Sequence, residues 1–511
     1  NRVMLKHIVQ KISLILMGII LSTPVLGQDL DKFEEKVTEF ELDNGLSFIV
    51  VERHAAPVAS FVTFVNVGGA NEPVGNTGIA HIFEHMAFKG THTIGTTNWE
   101  KEKPLINKMD KAYREWLREK HSPETDSSVL EKKWEEFQEF QEKSQQYVEN
   151  NEFSRVIEQN GGTGLNAYTN SDETAYFYSL PSNKAELWFS LESDRFKNPV
   201  FREFYTEKDV VKEERRMRTE SSPQGRLIEE FLAVAYTAHP YGRPVVGWNS
   251  DITATTIKDA KEFYNTYYVP SNITFAISGD VDPDQVKEWA ELYFGDIPKA
   301  EEAPPVTTKE PEQRGERRFE IIGQAQPFFL TGFHTVNNRH EDAEAMNLLS
   351  SILSDGRTSR LYKRLVDEDE SALAVVAFNG FPGTKYESLF LTFTVPNRGV
   401  ELSKIEKTID EEIQKVKDGA IAQEELDRAR TKARASLVRS LDDNSGLALS
   451  LAKNEAQSGD WRSVFTRLDK LENVTLDDLQ RVAEKYLVKQ NRTVGILKNK
   501  DESEEVADAK K

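Results

Sequence analysis

At 511 residues the chain exceeds what one ordinary hydrophobic core organises, so two or more domains are expected. Hydrophobic residues make up 38% and charged residues 29%, the balance of a soluble globular protein, and a net charge of −20 argues against nucleic acid or an anionic membrane surface as partner. There is no cysteine, which excludes disulfides, thiol catalysis and Cys-held zinc, so any metal must sit among His and carboxylate side chains.

In chain order, Lys6 and Lys11 precede an apolar run at 12–21, followed by Pro24 and the small residues around Gly27. This reads as a secretory signal over 1–27, with no lipid-anchoring cysteine after it and a periplasmic destination. The alternative is an uncleaved anchor; no later segment is apolar enough to span a bilayer. Loss of Arg2, Lys6 and Lys11 takes the net charge to −23, which is compatible with basic peptides as ligands. Strands are expected over 46–51 and 58–67, and a largely buried helix in TGIAHIFEHMAFKG.

Residues 99–151 form a dense run of Glu, Lys and Gln with Trp116, Trp134, Phe137 and Phe140 at roughly helical intervals, broken by SPETDSS. This predicts an inserted helical hairpin, read as a solvated charged arm with a thin apolar stripe. The stretch 297–318, rich in Pro and Glu, reads as an extended linker between a domain over 28–296 and another over 319–511.

The two sides of the linker look like copies. TIKDAKEFYNTYYVPSNITFAI (256–277) matches TLDDLQRVAEKYLVKQNRTVGI (475–496) without a gap at an offset of 219. SLPSNKAEL matches TVPNRGVEL at 215, and GIAHIFEHMAFKG matches EAMNLLSSILSDG at 266. In the last pairing Asn347, Ser350 and Ser351 replace His81, Glu84 and His85, and the falling offset leaves 51 extra residues in the first copy between 90 and 179. Strands and helices do not alternate strictly, so the expected class is α+β.

His81 and His85 lie four apart, so both project from one helix face and can reach one ion; Glu84 lies three from His81 on the same side. Zinc held by two imidazoles needs a third protein ligand, and a nearby carboxylate can take a proton from attacking water. The third ligand should be a carboxylate on another helix. In EFYTEKDVVKEERRMRTE, Glu207 and Glu214 lie two turns apart on one face, with Glu213 pointing elsewhere.

HxxEH is the inverted zincin arrangement, and with ELDNGL, LNAYTNSDETAYFYSLP, EKDVVKEE and HPYGRPVVG the chain closely resembles the pitrilysin (insulinase) family over about residues 36–498. That resemblance implies two α+β domains of the M16 type, with zinc held by His81, His85 and Glu214. It makes Glu84 the residue that activates water and Glu207 a support behind the ligands. It places substrate along an edge strand at Asn166 and Ala167 by strand addition. One feature departs from the pattern: where full members carry a substrate-binding arginine and tyrosine, this chain has Val366 and Leu373 (or Val375), and Arg364 is out of register.

The expected activity is therefore zinc-dependent hydrolysis of unfolded peptides. The resemblance further implies a second subunit of the same fold carrying the missing pair, since single-chain members enclose substrate with four domains and this chain has two. A homodimer is the other way to close the chamber. Two other readings stand beside it: a non-catalytic assembly subunit, and a zinc hydrolase of a non-peptide amide or ester.

Overall fold

The computed structural model describes residues 33–500, so the expected signal over 1–27 lies outside the described residues. Eleven strands build two sheets among these residues. The first contains β1 (Val37–Glu41), β2 (Ser47–Glu52), β3 (Val58–Val65), β4 (Thr163–Thr169), β5 (Thr174–Pro181) and β6 (Ile273–Gly279), in the order β1-β2-β6-β3-β5-β4. The second contains β7 (Arg317–Gly323), β8 (Phe328–His334), β9 (Ala372–Phe381), β10 (Leu389–Pro396) and β11 (Arg492–Asn499), in the order β7-β11-β8-β10-β9. Apart from β1 the two orders superpose term by term. The single parallel pair recurs as β2–β6 and β7–β11, and the other shared pairs are antiparallel in both sheets.

The local signals behind the repeat are visible in the caps. Thr256 accepts from the Asp259 amide while Asp259 reaches back to Thr256, and Thr475 and Asp478 do the same 219 residues later. Each box starts a helix, Ile257–Tyr267 and Leu476–Tyr486, that leads into β6 or β11.

Both faces of the first sheet are buried, as the apolar runs of β3 and β6 require. On one face Phe48, Phe61, Val65, Phe275 and Ile277 pack against the first half's own helices. On the other, Ile49, Val51, Val62, Phe64 and Ala276 pack against Leu447, Ala448, Leu451 and Ala452 of the helix Asn444–Ser458, which comes from the second half. The exchange is reciprocal. The helix Pro223–Ala235 of the first half lays Leu227, Phe231 and Leu232 against Leu330, Leu391 and Leu497 of the second sheet. Phe231 fits only because β8 and β11 carry glycine beneath it: a Cβ on Gly332 or Gly495 would stand 2.8 Å or 3.0 Å from its ring.

The matching hairpins also meet. Asp172, in the β4–β5 turn, accepts from the amides of Thr384 and Lys385 in the β9–β10 turn, at 2.7 and 3.1 Å, and from the Tyr241 hydroxyl.

Residues 298–314 have no helix or strand, but polar groups tie the segment down. Glu310 accepts from the amides of Thr237, Ala238 and His239, and buried Gln313 donates to the Arg492 carbonyl. The charged arm is likewise a docked element. Its helices, Trp99–Lys120 and Ser127–Gln145, enclose Tyr113, Trp116, Trp134 and Phe137 with Tyr205 in one aromatic cluster. Glu102 makes a fully buried ion pair with Arg202, and Asp110 accepts from the Tyr205 hydroxyl. The apolar stripe expected from the sequence is present, but its buried charges carry partners from outside the arm, so it is not a solvated surface.

Candidate metal centre

His81, Glu84 and His85 sit on the short helix Ile79–Met86, whose other face buries Ile79, Ala80, Ile82, Phe83 and Met86. The helix starts at Gly78, which has φ +90°, and a Cβ there would stand 2.6 Å from the Val246 carbonyl. Its first amides are satisfied by a buried side chain: Glu72 accepts from Gly78 at 2.8 Å and Ala80 at 2.9 Å. Glu207 and Glu214 project towards it from the helix Phe204–Arg215, which buries Phe204, Tyr205, Lys208 and Val211 on its inner side. Buried Arg215, held by Glu229 and the Gly247 carbonyl, fixes the end of that helix one residue after Glu214.

Side-chain atoms of His81, His85 and Glu214 converge within 4.8 Å of one another, the one such group of His and carboxylate side chains among the described residues. Oε2 of Glu214 lies 3.6 Å from Nε2 of His81 and 3.6 Å from Nε2 of His85. Two donors each bound about 2.0–2.1 Å from a tetrahedral ion stand roughly 3.3–3.4 Å apart, so these separations fit a zinc-sized cation with little adjustment. The donor set, two imidazoles and a carboxylate with no thiolate, also suits zinc. Burial pushes the His81 pKa down to about 4, so its ring is neutral and has a lone pair to give.

The supports of the three donors differ. Nδ1 of His85 lies 3.1 Å from Oε2 of Glu207 and donates there in the tautomer that leaves Nε2 bare. Lys89 pairs with Glu207 at 2.6 Å and with Glu203 at 3.2 Å. Burial alone would raise the Glu207 pKa, but the hydrogen bonds from His85 and Lys89 outweigh it and hold the carboxylate ionised. Arg218 engages the other oxygen of Glu214 at 2.6 Å, leaving Oε2 to face the histidines. Nδ1 of His81 is buried without a hydrogen-bond partner, so packing alone holds that ring. Glu213, which the helical spacing points elsewhere, is exposed and paired with Arg216.

Glu84 is half-buried and lines the same cleft, of about 840 Å³. Burial raises its pKa, against the opposing effect of a hydrogen bond with Thr169 of β4. β4 is one of the two edge strands of the first sheet and forms one wall of the cleft through Ala167, Tyr168 and Thr169. Asn166 is exposed, and its side-chain oxygen accepts from the Ala167 amide at 2.9 Å, a local bond that an incoming strand would have to displace. The sequence reading passed over Lys89, Thr169, Arg218 and Glu72. Lys89 and Arg218 could have been found, since each lies four residues beyond a proposed ligand.

Among the described residues the second half has no equivalent centre. Asn347 accepts from Asn379 of β9 at 3.1 Å, Ser350 caps back onto the Asn347 carbonyl, and Ser351 donates to Asp355. Val366 packs on the second core, Leu373 on β9 is 58% exposed, and Arg364 is spent on Glu368 and Asp369.

Comparisons with known proteins agree with this architecture. Residues 48–120 and 138–248 match the family model described as Insulinase (Peptidase family M16), and residues 254–433 match the one described as Peptidase M16 inactive domain. The unmatched stretch, 121–137, covers the turn of the charged hairpin and the first part of its second helix; the rest of the arm lies within the matched residues. The chain is 28% identical to the zinc protease PqqE of Helicobacter pylori over 97% of this chain and 100% of that protein. The crystal structure of a protease from Helicobacter pylori superposes with a TM-score of 0.75 at 27% identity, over 91% of this chain and 99% of that one. The periplasmic protease PqqL of Escherichia coli superposes at 0.68 and 17% identity, with 92% of this chain covering 48% of that longer one. The two-sheet α+β fold, the paired family matches and the zinc protease relatives together show that this chain belongs to peptidase family M16.

Proposed function

We propose that this chain is a zinc-dependent peptidase acting on unfolded peptides, with the metal held by His81, His85 and Glu214. The observation that carries the reading is the convergence of Nε2, Nε2 and Oε2 in one cleft, with the carboxylate of Glu84 beside them and a free strand edge along the wall. Bound zinc would supply Lewis acidity, acidifying water and polarising a carbonyl. Glu84, on the ligand helix but outside the ligand set, receives the proton from the attacking water and returns it to the leaving amine. Its partly buried position favours a carboxylate that can hold that proton in between. Glu207 fixes the His85 tautomer and is itself neutralised by Lys89. An extended peptide pairs with β4 at Asn166 and Ala167 once the Asn166 side chain swings off the Ala167 amide.

The same reading places the protein in the periplasm and gives it a second M16-type subunit. The valine and leucine at positions 366 and 373 cannot offer a developing oxyanion the donors that an arginine and a tyrosine there would supply beside the metal, and the Escherichia coli neighbour is about twice as long as the region it shares with this chain. No helix among the described residues is long and apolar enough to cross a membrane. Acid residues on the cleft wall are paired locally, Asp209 with Lys212 and Glu213 with Arg216, so the site itself gives little support to a preference for basic peptides.

Metal analysis and hydrolysis assays test the reading together. The purified chain should carry one zinc and cleave unfolded peptides faster than simple esters. Glu214→Gln should lose the zinc and Glu213→Gln should keep it. Equal retention in both variants, or ester hydrolysis without peptide hydrolysis, would sink the assignment.

A further inference from the structure

Away from the metal cleft, a cavity of about 530 Å³ lies at the seam between the two halves. That volume is in the range of sites for small organic ligands, roughly 300–1,000 Å³. The first half contributes Phe33, Val51 of β2 and Arg53. The second contributes apolar side chains from the helices Gln423–Ser440 and Ser463–Asn473, among them Val438, which is 56% exposed.

The polar groups are few and unequal. Arg53 is oriented by a 2.7 Å hydrogen bond from Nη2 to the Asp442 carbonyl, yet its Nη1 is buried with no hydrogen-bond partner. A buried guanidinium N–H without an acceptor is costly, and the acceptor that best relieves it is an anion. Lys36 and Arg434, the latter 3.9 Å from Glu472, add two more cations to the lining, against the carboxylates of Asp442 and Asp469. Beside the cavity, Lys36, Glu52, Arg53 and His54 share a second hollow, in which His54 is held by Glu52 and Asp280.

We propose that this cavity binds a single-chain anionic amphiphile, a medium-chain carboxylic acid, with its carboxylate on Arg53 and its hydrocarbon body among the apolar side chains of the seam. A peptide is the poorer occupant. The strand that lines the cavity through Val51, β2, is paired on both sides, by β1 and β6, so it offers no open edge to peptide amides and carbonyls. Because the walls come from both halves, an occupant bridges them and stabilises their mutual arrangement.

The test uses the full chain, titrated calorimetrically with decanoate, with decanol, and with a short peptide ending in leucine. Decanoate should bind one to one. Arg53→Met, which keeps the length and removes the charge, should weaken it at least tenfold. Val438→Trp, at an exposed position that folding tolerates, should abolish it. Peptide hydrolysis should survive in both variants, which keeps this test independent of the metal site. No decanoate binding, equal binding in all three proteins, or decanol binding as tightly as decanoate would overturn the proposal. So would preferential binding of the peptide, or binding that appears only after residues 1–32 are removed, which would show the chain's own leading segment to be the occupant.

Discussion

The two halves share a strand order and a pair of capping boxes, but they hold the corresponding helix in opposite ways. In the first half, the helix Ile79–Met86 turns two histidines and a glutamate towards a neighbouring helix that answers with carboxylates. In the second, the helix Ala343–Ser354 carries an asparagine and two serines at those positions, and these bond within their own helix and to Asn379 of β9. Outside that site the emphasis reverses. Tyr267 of the first half makes a hydroxyl bond to the Asn71 carbonyl, whereas its counterpart Tyr486 joins Arg481 and Lys485 around the buried carboxylate of Asp342. Both halves use buried polar groups for cohesion, Glu102 with Arg202 in one and Asp342 with Arg481 in the other, but only the first also gathers a candidate metal site among the described residues.

The sharpest break of this comparison is at the matched positions Glu84 and Ser350. Glu84→Gln should lower peptide hydrolysis by about 10²–10⁴-fold with zinc retained, and Ser350→Ala should leave it within about twofold. Parallel turnover and metal assays decide; a fall in both variants would mean that the second half takes part in the chemistry. The reciprocal helix exchange is tested by Phe231→Ala, which empties a fully buried site between the halves. A loss of about 3–5 kcal/mol is expected in urea unfolding, with both halves affected together; a transition confined to one half would contradict the exchange as a shared core.

Smaller effects separate support from ligation. Glu207→Gln should weaken zinc affinity about 10–100-fold without removing the site, as competition with a chelator would measure. Complete loss would promote Glu207 to ligand. The smallest effect concerns Asp342. Burial works to raise its pKa, but Tyr486, Arg481 and Lys485 outweigh this and hold it down to about 2. A carboxyl whose folded pKa lies below its unfolded value, about 3.9, stabilises fully above that pH and loses the contribution as pH falls towards 2. Asp342→Asn should therefore cost about 1 kcal/mol near neutrality and almost nothing near pH 2, as thermal unfolding across that range would show. A cost independent of pH would remove the ionic explanation.

Much of this was legible without coordinates because it depends on short-range periodicity. Four-residue spacing puts His81 and His85 on one helix face, and the boxes Thr256–Asp259 and Thr475–Asp478 mark equivalent helix starts. The absence of cysteine confined any metal to imidazole and carboxylate. Spacing also put Glu207 and Glu214 on a common face, but their division of labour depends on which imidazole nitrogen each meets, and only the packing of two helices decides that. The charged arm read as solvated because its partners, Arg202, Tyr205 and the Ile257 amide, lie far away in sequence. For the same reason the exchanged helices Pro223–Ala235 and Asn444–Ser458 were invisible: an apolar stripe shows that a helix is covered, while the sheet that covers it is chosen by long-range contacts that leave no period in the chain.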